Sequence, residues 1–197
     1  MFIFTCISKV VPSVLGITLL FSQPVLAVGP NGTQSDIPTF TQVYDFAFLA
    51  DPQSDIIPGP FGNRILRGWL GGNLTNTTTG ELVGQIVPGI GGELGVVSDL
   101  NSKLYSDIGL AFQWADDQKF AFLRMHGIGS STGNDTATAA VTLYAEMETE
   151  SPSRQNLVNS FLLATVSLEP PSSSSPNATI GSLKLFAQSS PDGVITG

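Results

Sequence analysis

The chain has 197 residues, a formal net charge of −8, 42% hydrophobic residues and only 12% charged ones. An acidic chain with sparse, scattered Lys and Arg argues against nucleic acid and anionic membranes as partners. Low charge with 21 Gly and 13 Pro and no long helix-forming run points to a single all-β domain with one core.

In chain order, residues 1–9 read as a short n-region, 10–21 as an apolar h-region, and 22–27 as a cleavage region ending in Val25-Leu26-Ala27. A cleaved signal peptide over 1–27 is therefore expected. The apolar run is shorter than the ~20 residues that span a bilayer, and Pro12 and Pro24 interrupt it. Sequons at Asn31, Asn73, Asn76, Asn134 and Asn177 predict a secreted, extracellular glycoprotein. No apolar tail follows Ser189, so no membrane anchor is expected after signal cleavage. The only cysteine, Cys6, lies in the signal, so no disulfide is predicted. A bridge-free secreted domain must be held by its core, which suits a closed sheet.

Residues 28–38 read as a flexible polar lead-in. Residues 40–49 read as a strand with Phe40, Tyr44, Phe46 and Phe48 in one register. Three prolines make 50–63 a loop, and 64–70 a strand reaching Gly71-Gly72. Residues 73–79 read as a turn carrying two sequons, 81–87 as a strand bent at Gly84, 88–92 as a turn, and 94–97 as its resumption. Residues 103–114 alternate cleanly: Leu104, Ser106, Ile108, Leu110, Phe112 and Trp114 share a face. A hairpin turn at 115–118 leads to 119–126, apolar on both faces, as expected of a central strand or of one whose outer face meets a partner. A homo-oligomer is compatible with that second reading.

Residues 127–136 read as a loop. In 137–148, Ala139, Val141, Leu143, Ala145 and Met147 face in. A helical turn beginning at Ser151-Pro152, a strand at 161–168, a Ser/Pro linker at 169–177 and a last strand at 180–188 complete the domain, with a frayed tail from 189. About eight short strands predict a sandwich or an up-and-down barrel. Closure removes exposed sheet edges, so the expected fold is a single antiparallel β-barrel over 39–188.

Arg64 through Gly71-Gly72, then GELVGQIVPGIGGEL, then a long strand with an aspartate-bearing hairpin turn, then FLRMHG, together resemble domain-of-unknown-function family 3237. The likeness covers residues 39–188. Glu93 stands where that family commonly has Asp, Leu94 where it has Trp, and Gln118 follows Asp117 where Gly is usual. The resemblance implies a small barrel akin to calycins and allene-oxide-cyclase-like proteins. Relatives of that shape bind small apolar molecules, and some rearrange them without a cofactor. Together with the sequons, it implies a secreted fungal member.

Two glycine patterns imitate catalytic motifs. The run Gly89-Ile-Gly91-Gly92 lacks the helix that a dinucleotide fingerprint needs, so it reads as a turn. Gly129-Ser-Ser131-Thr-Gly133 lacks the strand-to-helix setting of a nucleophile elbow, and the sole histidine precedes it. Asp116-Asp117 reads as hairpin-turn chemistry. No His/Cys/Asp/Glu grouping has metal-ligand spacing, so neither metal nor cofactor is expected.

Arg124 and His126 share a face with Phe120 and Phe122. If that face lines the lumen, the aromatics with Tyr44 and Trp69 wall a pocket in which Arg124 or His126 orients a polar group. If it faces out, Arg124 covers apolar surface with its stem. Glu93 is a second candidate acid or base, and Trp114 is pocket wall or core. The leading expectation is binding of a small apolar organic molecule. The rival is a cofactor-free isomerase or cyclase with Glu93 and His126 moving protons and Arg124 stabilising negative charge. A third is a surface or cell-wall protein whose barrel is filled.

Overall fold

A computed structural model describes residues 37–132, 138–169 and 177–190. The predicted signal peptide, most of the lead-in, the sequons at Asn31 and Asn134 and residues 191–197 lie outside the described residues. The strands are β1 (Thr39–Ala50), β2 (Asp55–Gly59), β3 (Gly62–Leu66), β4 (Trp69–Asn76), β5 (Leu82–Glu93), β6 (Val96–Val97), β7 (Lys103–Trp114), β8 (Phe120–Thr132), β9 (Thr138–Thr149), β10 (Leu162–Glu169) and β11 (Thr179–Ser190). A 3₁₀ turn (Pro152–Arg154) and one short helix, α1 (Gln155–Val158), join β9 to β10.

Eight of these strands close on themselves in the order β1-β4-β5-β7-β8-β9-β10-β11, with β11 returning to β1 and every pair antiparallel. The remaining strands form a flap, β2-β3-β6, hydrogen-bonded to the start of β7. The expected barrel of about eight strands is therefore present, with an appended three-stranded edge.

Period-two patterning positions the core. On β7, Leu104, Ser106, Ile108, Leu110, Phe112 and Trp114 are all buried. On β9 and β10, Val141, Leu143, Ala145, Met147, Leu162, Ala164, Val166 and Leu168 are buried as well. Aromatic edges fill the middle: Phe46 meets Phe112 at 5.6 Å, and Phe112 meets Trp114 at 4.8 Å, both T-shaped.

Four expectations are corrected. β8 runs on through Thr132 in register with β9, so the predicted loop at 127–136 is strand over 127–132. The predicted loop at 50–63 contains β2 and the start of β3. Of its three prolines only Pro58 lies within a strand, and it is tolerated because β2 is the exposed edge of the sheet, with no ladder on its outer side. The sequon segment is strand through Asn76, and only then turns, with the Asn76 side chain accepting from the Thr78 and Thr79 amides. The glycine run at 88–92 does not reverse the chain. It is a wide bulge inside β5: from Ile86 to Gly91, five steps on β5 span two on β7. Gly89 and Gly91 have φ of 75° and 84°, and a Cβ on Gly91 would overlap the Gly109 carbonyl.

Close backbone approach recurs where Phe48 lies across Gly181 of β11, with no room for a Cβ against its ring. Gly181→Ala is expected to destabilise the barrel by about 1–3 kcal/mol through overpacking, read as a lower urea midpoint.

One barrel end is sealed. Leu157 of α1 is buried, the Arg154 guanidinium lies 4.6 Å over the Trp114 ring, and Arg154 pairs with Asp116 at 2.6 Å. Ser151 donates to Asp117 at 2.6 Å, which draws the Asp117 pKa below the ordinary carboxylate value. The aspartate pair thus serves the turn and the seal, as hairpin chemistry predicts.

Candidate functional site

The other barrel end is where buried charge sits. Between β3 and β4 the chain alternates Ile65, Arg67, Trp69, and these side chains line one cavity. Arg67 is bridged to Glu93 at the end of β5 by two backbone bonds: its N–H donates to Glu93 O at 3.0 Å, and Glu93 N–H to Arg67 O at 2.9 Å. The bulge in β5 is what restores the register after the Gly-rich detour, so that Glu93 turns inward opposite Ile108.

Glu93 is only 6% exposed. Its Oε1 accepts from the Gly95 amide at 2.8 Å and the Asp107 amide at 3.3 Å, and its Oε2 accepts from Ser106 Oγ at 2.6 Å. Burial pushes its pKa up, opposed by those hydrogen bonds and by the Arg67 charge. Arg67 is half-buried. Burial lowers its pKa while Glu93 and Asp51 hold it up, and a guanidinium stays charged under such opposition. Its Nε donates to Ser54 Oγ at 2.8 Å.

The cavity beside them is about 60 Å³. Apart from Arg67 and Glu93, its walls are Ile65, Trp69, Val97, Leu104, Ile108, Val141, Val166 and Leu168. Trp69 is held in place by its indole N–H, which donates to the Gly109 carbonyl at 2.6 Å, and by an edge contact with Phe48 at 5.1 Å.

Of the residues singled out in the sequence, this site unites Glu93 and Trp69. Tyr44 is fully buried but stands six residues before the Trp69 partner Ala50 on β1, at the sealed end, against Trp114. Phe120, Phe122, Arg124 and His126 do not line the lumen. The inward set of β8 is Ala121, Leu123 and Met125, all buried, so period-two geometry sends the other face outside. Phe120 is 62% exposed, and with Phe122, Ile90 and Ala111 it borders an open outer groove of about 870 Å³. Arg124 stands opposite Glu146 in register, and His126 Nδ1 lies 3.3 Å from Asp107 Oδ1 on the outer surface.

Sequence reasoning missed Arg67 and Ser106 as site residues. The signal was available: Arg67 sits at the i+2 spacing from both Ile65 and Trp69, a charged residue in an inward register. Among the described residues no group of three or more His, Cys, Asp or Glu could hold a metal ion, and no helix is long and apolar enough to cross a membrane.

Solved structures share this architecture. A protein of unknown function from Clostridium acetobutylicum is 18% identical with a TM-score of 0.62, over 77% of this chain and 99% of that one. A conserved protein of unknown function from Rhodopseudomonas palustris is 14% identical with a TM-score of 0.62, over 78% and 99%. A beta-barrel-like protein from Acinetobacter baumannii is 15% identical with a TM-score of 0.55, over 79% and 100%. At such identities the likeness is one of fold. No family model and no curated protein matches the chain.

Proposed function

We propose that the chain binds a small, mostly apolar organic molecule at the Glu93 end of its barrel. The observation that carries this reading is a cavity with aliphatic and indole walls and two charged side chains, Glu93 and Arg67, set against the buried core. Apolar walls with few polar groups are the usual make-up of a ligand pocket. At about 60 Å³, the space suits a ligand of a few heavy atoms, as two waters already occupy ~60 Å³ of liquid. The filled centre of the barrel narrows the ligand in the same way: Tyr44, Phe112 and Trp114 are core, not pocket wall.

The test is a titration of ¹³C-methyl-labelled protein with short alcohols, amides and acids. Saturable shifts of the Ile65 and Ile108 methyls are expected. Shifts that stay linear in ligand, or fall only on exposed residues such as Ile90, would defeat the reading.

An acid–base isomerase is the second reading, favoured by one observation: burial raises the Glu93 pKa, which brings a carboxyl closer to a useful proton donor and acceptor. The His126 and Arg124 roles drop out of it, since both lie outside the lumen. It requires that Glu93→Gln abolish turnover of whatever molecule the cavity binds.

Secretion, N-glycosylation and membership of family 3237 complete the proposal. Among the described sequons, Asn73 and Asn177 are exposed, while Asn76 is half-buried with its carbonyl engaged in the turn. Asn73 is therefore the expected carrier on β4. Expressed through a eukaryotic secretory route, Asn73→Gln should lose the mass of one glycan and Asn76→Gln none; the reverse pattern would refute the assignment.

A further inference from the structure

Resting on the ligand-binding reading above, we propose that the ligand is a short-chain monocarboxylate and that Arg67 is the residue that anchors its carboxylate. The two charged side chains of the cavity are not equivalent. Glu93 already accepts three protein hydrogen bonds, from Gly95, Ser106 and Asp107, so it has little left to offer a donor. Arg67 is the opposite case. A guanidinium has five N–H donors in a fixed fork, and here, among the described residues, only Nε is used, on Ser54.

No carboxylate claims that fork. The ion pairs among the described residues are Lys119–Glu150, His126–Asp107 and Arg154–Asp116. Glu93 and Asp51 act on Arg67 through space without closing a pair, which keeps the guanidinium charged beside apolar walls. The fork is also held in place from both sides. Its backbone is pinned to Glu93 by two hydrogen bonds, and its Nε is fixed on Ser54. A preset fork loses little on binding a planar bidentate acceptor.

The rest of the wall dictates the other end of the ligand. Ile65, Leu104, Ile108, Val141, Val166 and Leu168 offer no hydrogen bond from their side chains and can only pack. A cation would meet Arg67 and an already satisfied Glu93. A neutral alcohol or amide would leave most of the fork unmatched. A phosphate would bring a double charge into a space of about 60 Å³ next to Glu93. A short-chain acid matches the single charge of the fork and the apolar wall together. In this arrangement Glu93 is a positioning residue: it ties Gly95 and β7 to the segment between β3 and β4 that presents Arg67.

Propionate and propionamide separate the possibilities, because they match in size and differ in charge. Affinities are read from the Ile65 and Ile108 methyl shifts. Propionate is expected to bind about tenfold more tightly than propionamide, the usual advantage of a charge-assisted bidentate pair. In Arg67→Gln the ratio of the two affinities should fall to about twofold or less. Equal binding of the two in the unaltered protein would overturn the Arg67 assignment and leave the cavity reading standing. Binding of neither would overturn both. The unaltered-protein comparison decides the matter without relying on a variant that folds.

Discussion

Replacing Glu93 with alanine is expected to lower the unfolding free energy by about 3 kcal/mol, whereas glutamine at the same position should cost little. The asymmetry follows from the partners. Alanine strands the Gly95 amide, the Asp107 amide and the Ser106 hydroxyl, and an unsatisfied buried donor costs about 1–3 kcal/mol. Part of that loss is offset because a poorly solvated carboxylate is removed with it. Glutamine keeps a carbonyl oxygen for the two amides, and its NH₂ can donate to Ser106, which then accepts.

The unaltered chain and Glu93→Gln should part company with pH. The Glu93 pKa is raised in the folded state above its ordinary value of 4.5. Below that value both folded and unfolded chains hold the proton, and Glu93 imposes no charge penalty. As pH climbs from there through the raised folded value, the unfolded chain ionises first and stability is lost; above it the loss is complete. Glutamine cannot titrate, so Glu93→Gln should become progressively more stable relative to the unaltered chain as pH rises. Asp117 acts in the opposite sense, contributing stability above its ordinary value of 3.8 that is lost on acidification, but it is common to both proteins and cancels. Urea melts between about pH 4 and about pH 8 give the difference directly. A difference that is flat or falls with pH would contradict a buried, costly carboxylate.

The second large effect belongs to the sealed end. Trp114→Ala is expected to destabilise by about 3–5 kcal/mol, the range for removing a fully buried large aromatic. Trp114 is 0% exposed, packs on Tyr44 and Phe112, and donates its indole N–H to Thr149 Oγ1 at 3.0 Å. Thr149 passes the bond on to the Phe120 carbonyl at 2.8 Å. The same ring supports Arg154, so alanine should also loosen the turn from Pro152 to Val158. Tyr44→Phe provides the contrast: the Tyr44 hydroxyl is buried beside the Arg154 guanidinium, and neither it nor Arg154 Nε closes a hydrogen bond of ordinary geometry among the described residues, so its removal should leave stability within about 1 kcal/mol. Chemical denaturation measures both. A Trp114→Ala loss below about 1 kcal/mol would show that this end is not the packed seal that the ring contacts indicate.

The barrel was legible in the sequence because its strands alternate strictly. On β7, β9 and β10 every residue expected to face inward whose side chain is described is buried. The edge strand β2 escaped notice because a short, exposed edge strand tolerates proline and carries no buried face to betray it, whereas the strand read over 64–70 runs together the end of β3 and the start of β4. The glycine run misled for a related reason. Positive-φ glycines signal a turn equally well in a wide bulge, and only the partner strand tells the two apart. On β8 both faces are apolar, so alternation alone did not say which pointed in; the small and aliphatic set Ala121, Leu123 and Met125 won, and the aromatics with Arg124 and His126 went outside. Glu93 was visible as the one chemical group of its block. Arg67 was overlooked: its inward register with Ile65 and Trp69 was readable, but its bridge to Glu93, twenty-six positions away (67 to 93), was not.

The most direct test of the account is to fill the cavity. Val166 lines it from β10 and is buried. Isothermal titration of the unaltered protein and of Val166→Phe against one short-chain ligand, with the unfolding transition of each recorded alongside, compares binding at equal fold integrity. The account predicts that the phenylalanine ring enters the empty space, so that stability changes by no more than about 1–3 kcal/mol, while affinity falls at least about tenfold. Undiminished binding in a folded Val166→Phe protein would place the ligand elsewhere and contradict the account.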